Sequence, residues 1–384
     1  MDNVGDGAFA TAVPLLASAI TRDPRLISLV SAAGYAPWLL VSIPAGVLVD
    51  RRDRVSLMWR SQASQAVIVA VVTVLVLVSK AGLVTLILMG FALGVCEVVF
   101  SNASQAMLPD LVSDDQLPKA NSSQYTVTVV GQVFVGPPVG SLLYTVSAAL
   151  PFGVNVGSFA LSAGLLAKLP RRPVANKNKT PVFAAMKDGM RWLGKHRLLR
   201  ALALVVGVNT FCFQMGNAIL VLLAQETLHV TTRDYGFMLA SAAVGGVLGG
   251  IVNTGVARRV GPVRTLMISL VANVLIFEGI GLTRNGIVVT ALLALNGFAN
   301  SFWSVGALNI RQRLTPAELM GRVNSVYRML SFGLMPFGAA AGGFIGHEFG
   351  LGAVYPIAGA ARGVALLAVL PVLVGVMRSE FRTR

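Results

Sequence analysis

The chain is 384 residues long, 55% hydrophobic and only 12% charged, with a mean hydropathy of +0.74. Soluble domains carry about a quarter charged residues, so this composition excludes a water-soluble globular protein. The formal net charge of +15 would suggest nucleic acid as a partner of a soluble chain; here the positive charge clusters on particular loops, which gives it a topological meaning and implies no nucleic-acid partner.

A membrane-spanning helix needs about 20 mainly apolar residues, because lipid offers no partners to backbone N–H and C=O groups. The apolar runs predict twelve of them, at residues 3–20, 26–49, 57–79, 82–107, 118–145, 148–168, 198–225, 234–257, 263–282, 286–310, 322–346 and 350–377. The expected fold is therefore all-α and integral to the membrane, with the spans divided into two pseudo-symmetric six-helix bundles.

The first run begins just after Met1 with neither a basic region nor a small-residue cleavage site ahead of it. It is expected to stay as helix one rather than to be removed as a signal peptide, and either its cytoplasmic end is short or the true start lies upstream of Met1. Asp6 would sit about 8 Å into that helix at 1.5 Å per residue. Between helices two and three runs Gly46-Val-Leu-Val-Asp50-Arg51-Arg52-Asp53-Arg54. Gly46 is expected to allow two helices to approach closely, while Asp50 puts a negative charge where the helix dipole is already negative and so needs a partner. Arg51, Arg54 or the N-terminus of a facing helix would supply it, and only when the cytoplasmic side is closed. The box would then be a conformational switch; the alternative is a solvated, positive-inside loop.

In helix four, Glu97 shares a stripe with Gly90, Gly94 and Ser101 and should face the bundle interior. Helix five carries Gly131 and then Gly136-Pro137-Pro138-Val139-Gly140, where glycines permit tight packing and proline removes a backbone donor. The polar segment from Pro170-Arg171-Arg172-Pro173 to Thr180-Pro181 reads as a linker between halves. Beyond it Phe183, Met186, Met190 and Leu193 oppose Lys187, Arg191 and Lys195, the pattern of an amphipathic helix in the cytoplasmic interface or packed beneath the bundle. The expected division is 1–168 for the first bundle, 169–197 for the cytoplasmic linker and 198–384 for the second bundle.

Ionisable residues inside spans are costly and mark ion or substrate paths. Glu97, Asp6 and, toward the end of helix nine, Glu278 are the candidates for carrying a proton, because a carboxylate moved from water to a dry interior favours its protonated form. A structural ion pair is the competing account for each, and Glu278 also suits simply reaching the interface. Arg362 in helix twelve needs a counter-charge or a water-filled pocket. Substrate contacts are sought among polar and aromatic residues on interior stripes: Tyr125 and Gln132, Asn209 and Phe213, then Asn296, Asn300 and Trp303. Each of these also suits interhelical hydrogen bonding or packing. Cys96 and Cys212 lie in apolar spans without spacing partners and are expected to pack as small hydrophobes.

On this map all but Arg22, Arg25, Lys80, Arg233, Arg284 and Arg362 of the 31 Lys and Arg fall on one side. By the positive-inside rule that side is cytoplasmic, with both termini, and it contacts anionic head groups. The halves are also related in sequence. Gly46-Val47 with Ser56-Leu57-Met58 matches Gly255-Val256 with Thr265-Leu266-Met267 at one offset, and Gln105 to Pro109 then Asn121 matches Gln312 to Pro316 then Asn324. Two such repeats are the architecture in which transporter halves rock about a central site.

The box from Gly46 to Arg54 resembles the signature between helices two and three of the major facilitator superfamily. Gly5-Asp6-Gly7, Pro37-Trp38 before Ile43-Pro44-Ala45-Gly46, Leu108-Pro109-Asp110-Leu111-Val112, Gly189-Met190-Arg191-Trp192 and Gly321-Arg322-Val323-Asn324-Ser325 are similar to its branch of macrolide-efflux and enterobactin-exporter-like proteins. The second copy of the box departs from the pattern, with Arg259 where Asp50 aligns. Gly131 with Gly136, Pro137 and Gly140 resembles the antiporter motif of drug exporters, with Ser141 in place of its last glycine.

The resemblance implies a secondary transporter of the plasma membrane, or bacterial inner membrane, that exports small amphipathic molecules such as drugs or secondary metabolites against protons by alternating access. An importer or uniporter of the same fold, and a non-transporting partner of a secretion or biosynthetic complex, are the alternatives. No phosphate-binding Gly-rich Lys loop, zinc spacing or Ser/His/Asp arrangement occurs. The expectation is therefore no enzymatic activity and no metal or other cofactor beyond the proton gradient, in a monomer whose partners are lipid, protons and substrate.

Overall fold

The computed structural model describes residues 2–113, 116–169 and 182–382, so the linker from Pro170 to Pro181 lies outside the described residues. All regular structure among the described residues is helical. The first half holds α1 (Asp2–Ile20), α2 (Pro24–Leu40), α3 (Ser42–Arg51), α4 (Arg54–Leu77), α5 (Leu83–Leu111), α6 (Leu117–Thr128), a π-helical stretch (Val129–Val135), α7 (Gly136–Val146) and α8 (Leu150–Ala167). After α9 (Val182–Lys195) come α10 (Arg197–Leu222), a second π-helical stretch (Leu223–Thr227), α11 (Thr232–Val260), α12 (Pro262–Leu282) and α13 (Gly286–Leu314). The chain closes with α14 (Ala317–Gly333), α15 (Met335–Phe349), a 3₁₀ turn (Leu351–Ala353) and α16 (Val354–Arg382).

Local chemistry fixes the ends. Asp23 accepts from the Arg25 N–H at 2.9 Å ahead of Pro24, Asp53 accepts from Ser56 N at 2.8 Å, and Asn285 accepts from Ile287 N at 2.9 Å. These are N-cap bonds that satisfy donors the first helical turn leaves free. Gly261, with φ +98°, takes the left-handed turn that separates α11 from α12.

Ten helical segments among the described residues are long and apolar enough to span a bilayer, eleven when α2 and α3, bent by 52° at Val41, count as one broken span. The remaining expected span, α1, has 19 residues and falls short in apolarity because Asp2, Asn3 and Asp6 crowd its start. The surface pattern is inverted relative to a soluble protein. Helix α4 buries Ser61, Gln62 and Gln65 and turns Val67, Val71 and Val74 outward, each more than half exposed. Lipid explains an apolar outside and a polar inside.

The chain forms two compact units: Met1–Val182 with Val230–Ala240, and Phe183–His229 with Ser241–Arg384. In unit one α4 packs on α5 and α8, and α1 on α7; in unit two α12 packs on α13 and α16, and α10 on α15. The same neighbours recur, as expected of a duplicated bundle.

One crossing is built alike in both units. Ahead of Pro137 and Pro138, which lack donors, the helix loosens into π turns and the Gly136 N–H bonds to Gly131 O. Beyond the loosening, a Cβ on Gly136 would lie against Gly7 and one on Gly140 against the Ala8 carbonyl. In unit two, Pro336 opens α15, and a Cβ on Gly338 or Gly342 would meet the carbonyls of Phe211 or Met215 on α10. Absent side chains let the backbones touch.

The amphipathic helix α9 packs beneath unit two by its C-terminal half. Gly189 sits against the Arg322 backbone, Leu193 is buried in the apolar core with Leu199 and Leu266, and Trp192 stacks on His196 at 4.0 Å. Met190 remains exposed.

Candidate functional site

Two polar features stand inside the helical units, one in each. In unit one, α1, α4, α5 and α8 converge on three carboxylates. Gln62 Nε2 donates to Asp2 Oδ2 at 3.0 Å, Ser158 Oγ to Asp2 Oδ1 at 3.4 Å, and Gln65 Nε2 to Glu97 Oε2 at 3.4 Å. Asp6 interacts electrostatically with both Asp2 and Glu97 and lies beside Asn155. The acids are partly buried, while Gln62, Gln65 and Asn155 are almost fully buried and the Gln62 Oε1 and Gln65 Oε1 atoms have no partners. Among the described residues no Lys or Arg pairs with any of the three carboxylates. Such a cluster holds acids by neutral amides and a hydroxyl rather than by Lys or Arg side chains.

The structure therefore brings Asp6 and Glu97 together and adds Asp2, which the sequence reading passed over, with Gln62, Gln65 and Asn155 as their supports. Glu278 does not join them. It lies on α12 in unit two, half-buried against Gly359.

In unit two a cavity of about 320 Å³ is lined by Asn209, Thr210 and Phe213 of α10, Asn273 of α12, Asn296, Asn300, Trp303 and Arg311 of α13, Tyr327 and Ser331 of α14, and Arg362 of α16. Its size is at the lower end for small-molecule sites. Five of the expected substrate residues meet here: Asn209, Phe213, Asn296, Asn300 and Trp303. Asn296 also ties helices together, because its Nδ2 donates to Asn273 Oδ1 at 2.7 Å and Asn273 in turn donates to Ser269 O at 2.8 Å. Tyr125 and Gln132 are not part of this cavity. Tyr125 on α6 is 73% exposed, and the Gln132 carbonyl packs on Gly7.

Arg362 is only 6% exposed. Its guanidinium lies 3.7 Å from the Phe277 ring centroid, Nη2 donates to Asn209 O at 3.2 Å, and Nε has no partner. Cys212 is a buried free thiol with its side chain against Arg362. Of the two expected environments, a counter-charge or a pocket, Arg362 lines a cavity and is held by an aromatic face and a carbonyl. Arg311 is arranged similarly: it lies 4.4 Å from the Tyr327 ring, whose hydroxyl donates to Leu199 O at 2.7 Å, and its Nε also has no partner. Arg311 belongs by charge to the basic side expected to be cytoplasmic, yet it continues the α13 stripe of Asn296, Asn300, Trp303 and Ala307 at spacings of three and four.

At the loop box, α3 carries Gly46 to Arg51 and α4 starts at Arg54. Arg54 Nη1 donates to the Ala106 carbonyl of α5 at 2.8 Å, and Arg51 is exposed. The Asp50 side chain lies outside what is described. The close approach expected at Gly46 is not found: a Cβ there meets nothing within 4 Å. The close approaches occur instead where α5 crosses α2, at Gly90 against Val30 O and Gly94 against Gly34 O.

The sequence profile of the family described as "Transmembrane secretion effector" matches residues 1–382. The chain belongs to this family of major facilitator transporters. It is a multi-pass membrane protein with an all-helical transporter fold. Curated relatives of this secretion-effector chain include the enterobactin exporter EntS of Shigella boydii serotype 4 (strain Sb227) and EntS of Escherichia coli O1:K1 / APEC. Each is 25% identical over 98% of this chain and 89% of its own length. Similar solved folds are a bacterial homologue of the iron transporter ferroportin in an inward-facing state (TM-score 0.78, 16% identity, 97% of this chain and 95% of that one) and the nucleoside transporter NupG (TM-score 0.74, 12% identity, 96% and 97%).

Proposed function

We propose that this transporter exports small amphipathic molecules in exchange for protons, by alternating access of its two halves, as a monomer in the bacterial inner membrane with both termini in the cytosol. Similarity to enterobactin exporters favours export over import. The observation that carries proton coupling is the cluster of Asp2, Asp6 and Glu97, held by Gln62, Gln65 and Asn155 with no described Lys or Arg beside it. A carboxylate without a fixed counter-charge changes its proton affinity when its surroundings alternate between wet and dry. In this reading Glu97 and Asp6 take the proton, the box around Arg51 and Arg54 biases the closed cytoplasmic side, and the cavity of unit two receives the cargo. No bound cofactor is needed.

The test compares cells producing the chain, its Glu97→Gln variant and no transporter, using untargeted mass spectrometry of medium and cell extract with and without a protonophore. Compounds enriched in the medium by the unaltered chain alone, and retained in the cell when the gradient is collapsed, are expected. Export that persists with Glu97→Gln or with the protonophore would sink the proton assignment.

A further inference from the structure

The cavity of unit two carries cations and no acid. Among its lining residues are Arg311 and Arg362, and neither Asp nor Glu is present. Arg362 is buried beyond nine-tenths, points into the cavity wall with an unpartnered Nε, and is held by Phe277 and the Asn209 carbonyl rather than by a carboxylate. A guanidinium in an apolar helical bundle without an anion is a standing cost, and a ligand that brings one relieves it. Guanidinium forks match planar carboxylates. The remaining lining supplies aromatic surface from Phe213, Trp303 and Tyr327 and amides from Asn209 and Asn300, which suit a flat ring with polar substituents.

We propose that this cavity is an organic-anion site in which Arg362, with Arg311 lining the same space, receives the negative group of an aromatic acid whose ring rests among Phe213, Trp303 and Tyr327. The idea deepens the preceding reading by naming the chemical class of the cargo, and it rests on that reading's assignment of the cavity to cargo. It does not depend on direction or on protons.

Calorimetric titration of the purified full chain in neutral detergent tests it, with 2-naphthoate and its neutral isostere 2-naphthamide as probes and inorganic phosphate as competitor. The naphthoate is expected to bind roughly tenfold or more tightly than the amide, in keeping with a charge-assisted bond. Arg362→Gln should erase the difference, and Trp303→Phe should remove most of the quenching of tryptophan fluorescence by naphthoate. Equal binding of the two probes, no binding of either, or a preference that survives Arg362→Gln would overturn the proposal. Displacement of naphthoate by equimolar phosphate would also overturn it, by marking a site for free inorganic anions. Should Arg362→Gln fail to fold, the ratio of the two probes on the unaltered chain and the Trp303→Phe quenching decide. Because no gradient is involved, a failure here leaves proton-coupled export untouched, and a gradient-independent Glu97→Gln result leaves this site untouched.

Discussion

The guanidinium of Arg362 lies 3.7 Å from the centroid of the Phe277 ring, so α16 and α12 are joined by a cation held on an aromatic face. The ring quadrupole takes the place of a counter-ion, and where water is excluded such a contact is worth about 2 kcal/mol. Replacing Phe277 by Leu keeps an apolar filling and removes the quadrupole. The variant is expected to lose thermal stability by about 1–2 kcal/mol in detergent, with Phe277→Trp retaining it. A melting curve followed by size-exclusion fluorescence reads this directly.

In unit one the support of Glu97 is open to the same kind of experiment. Gln65 donates to its carboxylate at 3.4 Å, and hydrogen bonds to charged groups contribute more than neutral ones. Gln65→Leu is expected to leave protein level and elution profile unchanged while lowering gradient-driven export on the order of tenfold. Unchanged export would show that Glu97 works without its amide partner.

Packing at the paired crossings predicts an asymmetry among glycines. Gly136→Val and Gly342→Val force a side chain into backbone on α1 and α10 respectively, and each should cost at least roughly 1–3 kcal/mol or abolish folding. Gly46→Ala adds a methyl to open space and should be neutral or slightly stabilising. Expression and melting temperature of the three variants separate these outcomes. A strongly destabilised Gly46→Ala would mean that Gly46 is needed for a contact formed in another state.

Topology gives a fourth test. In a chain with Cys96 and Cys212 replaced by alanine, Lys80→Cys and Arg52→Cys sit on consecutive exposed turns either side of α4. A membrane-impermeant maleimide applied to whole cells is expected to label Lys80→Cys alone, and to reach Arg52→Cys only after permeabilisation. Labelling of both from outside would overturn the assignment of the arginine-rich side to the cytosol.

Spans were legible in the sequence because lipid imposes a length and a composition that no tertiary contact can override. The breaks inside them were less so. The bend between α2 and α3 and the interruption at Leu334 before α15 fall within single apolar runs, where Pro37, Pro44 and Pro336 hinted at irregularity without giving its place. Arg362 was visible as a charge in the wrong solvent, and five cavity residues were found from their stripes. Gln62, Gln65 and Asn155 were missed because their role depends on Asp2 and Glu97 arriving from other helices, which no local spacing records. Arg311 was missed for a different reason: its charge was explained by topology before its position on the Asn296 and Trp303 stripe was weighed.

Gly136 with Gly140 tolerate no methyl group against α1, and Gly338 with Gly342 none against α10. The same demand for a missing side chain thus stands at matching crossings of both units, whereas Gly46, Gly153 and Gly255 have open space around them. One unit gathers carboxylates with no described Lys or Arg beside them and the other a pocket whose lining holds arginines without an acid, so a shared backbone scaffold leaves the electrical character of each half to its own side chains.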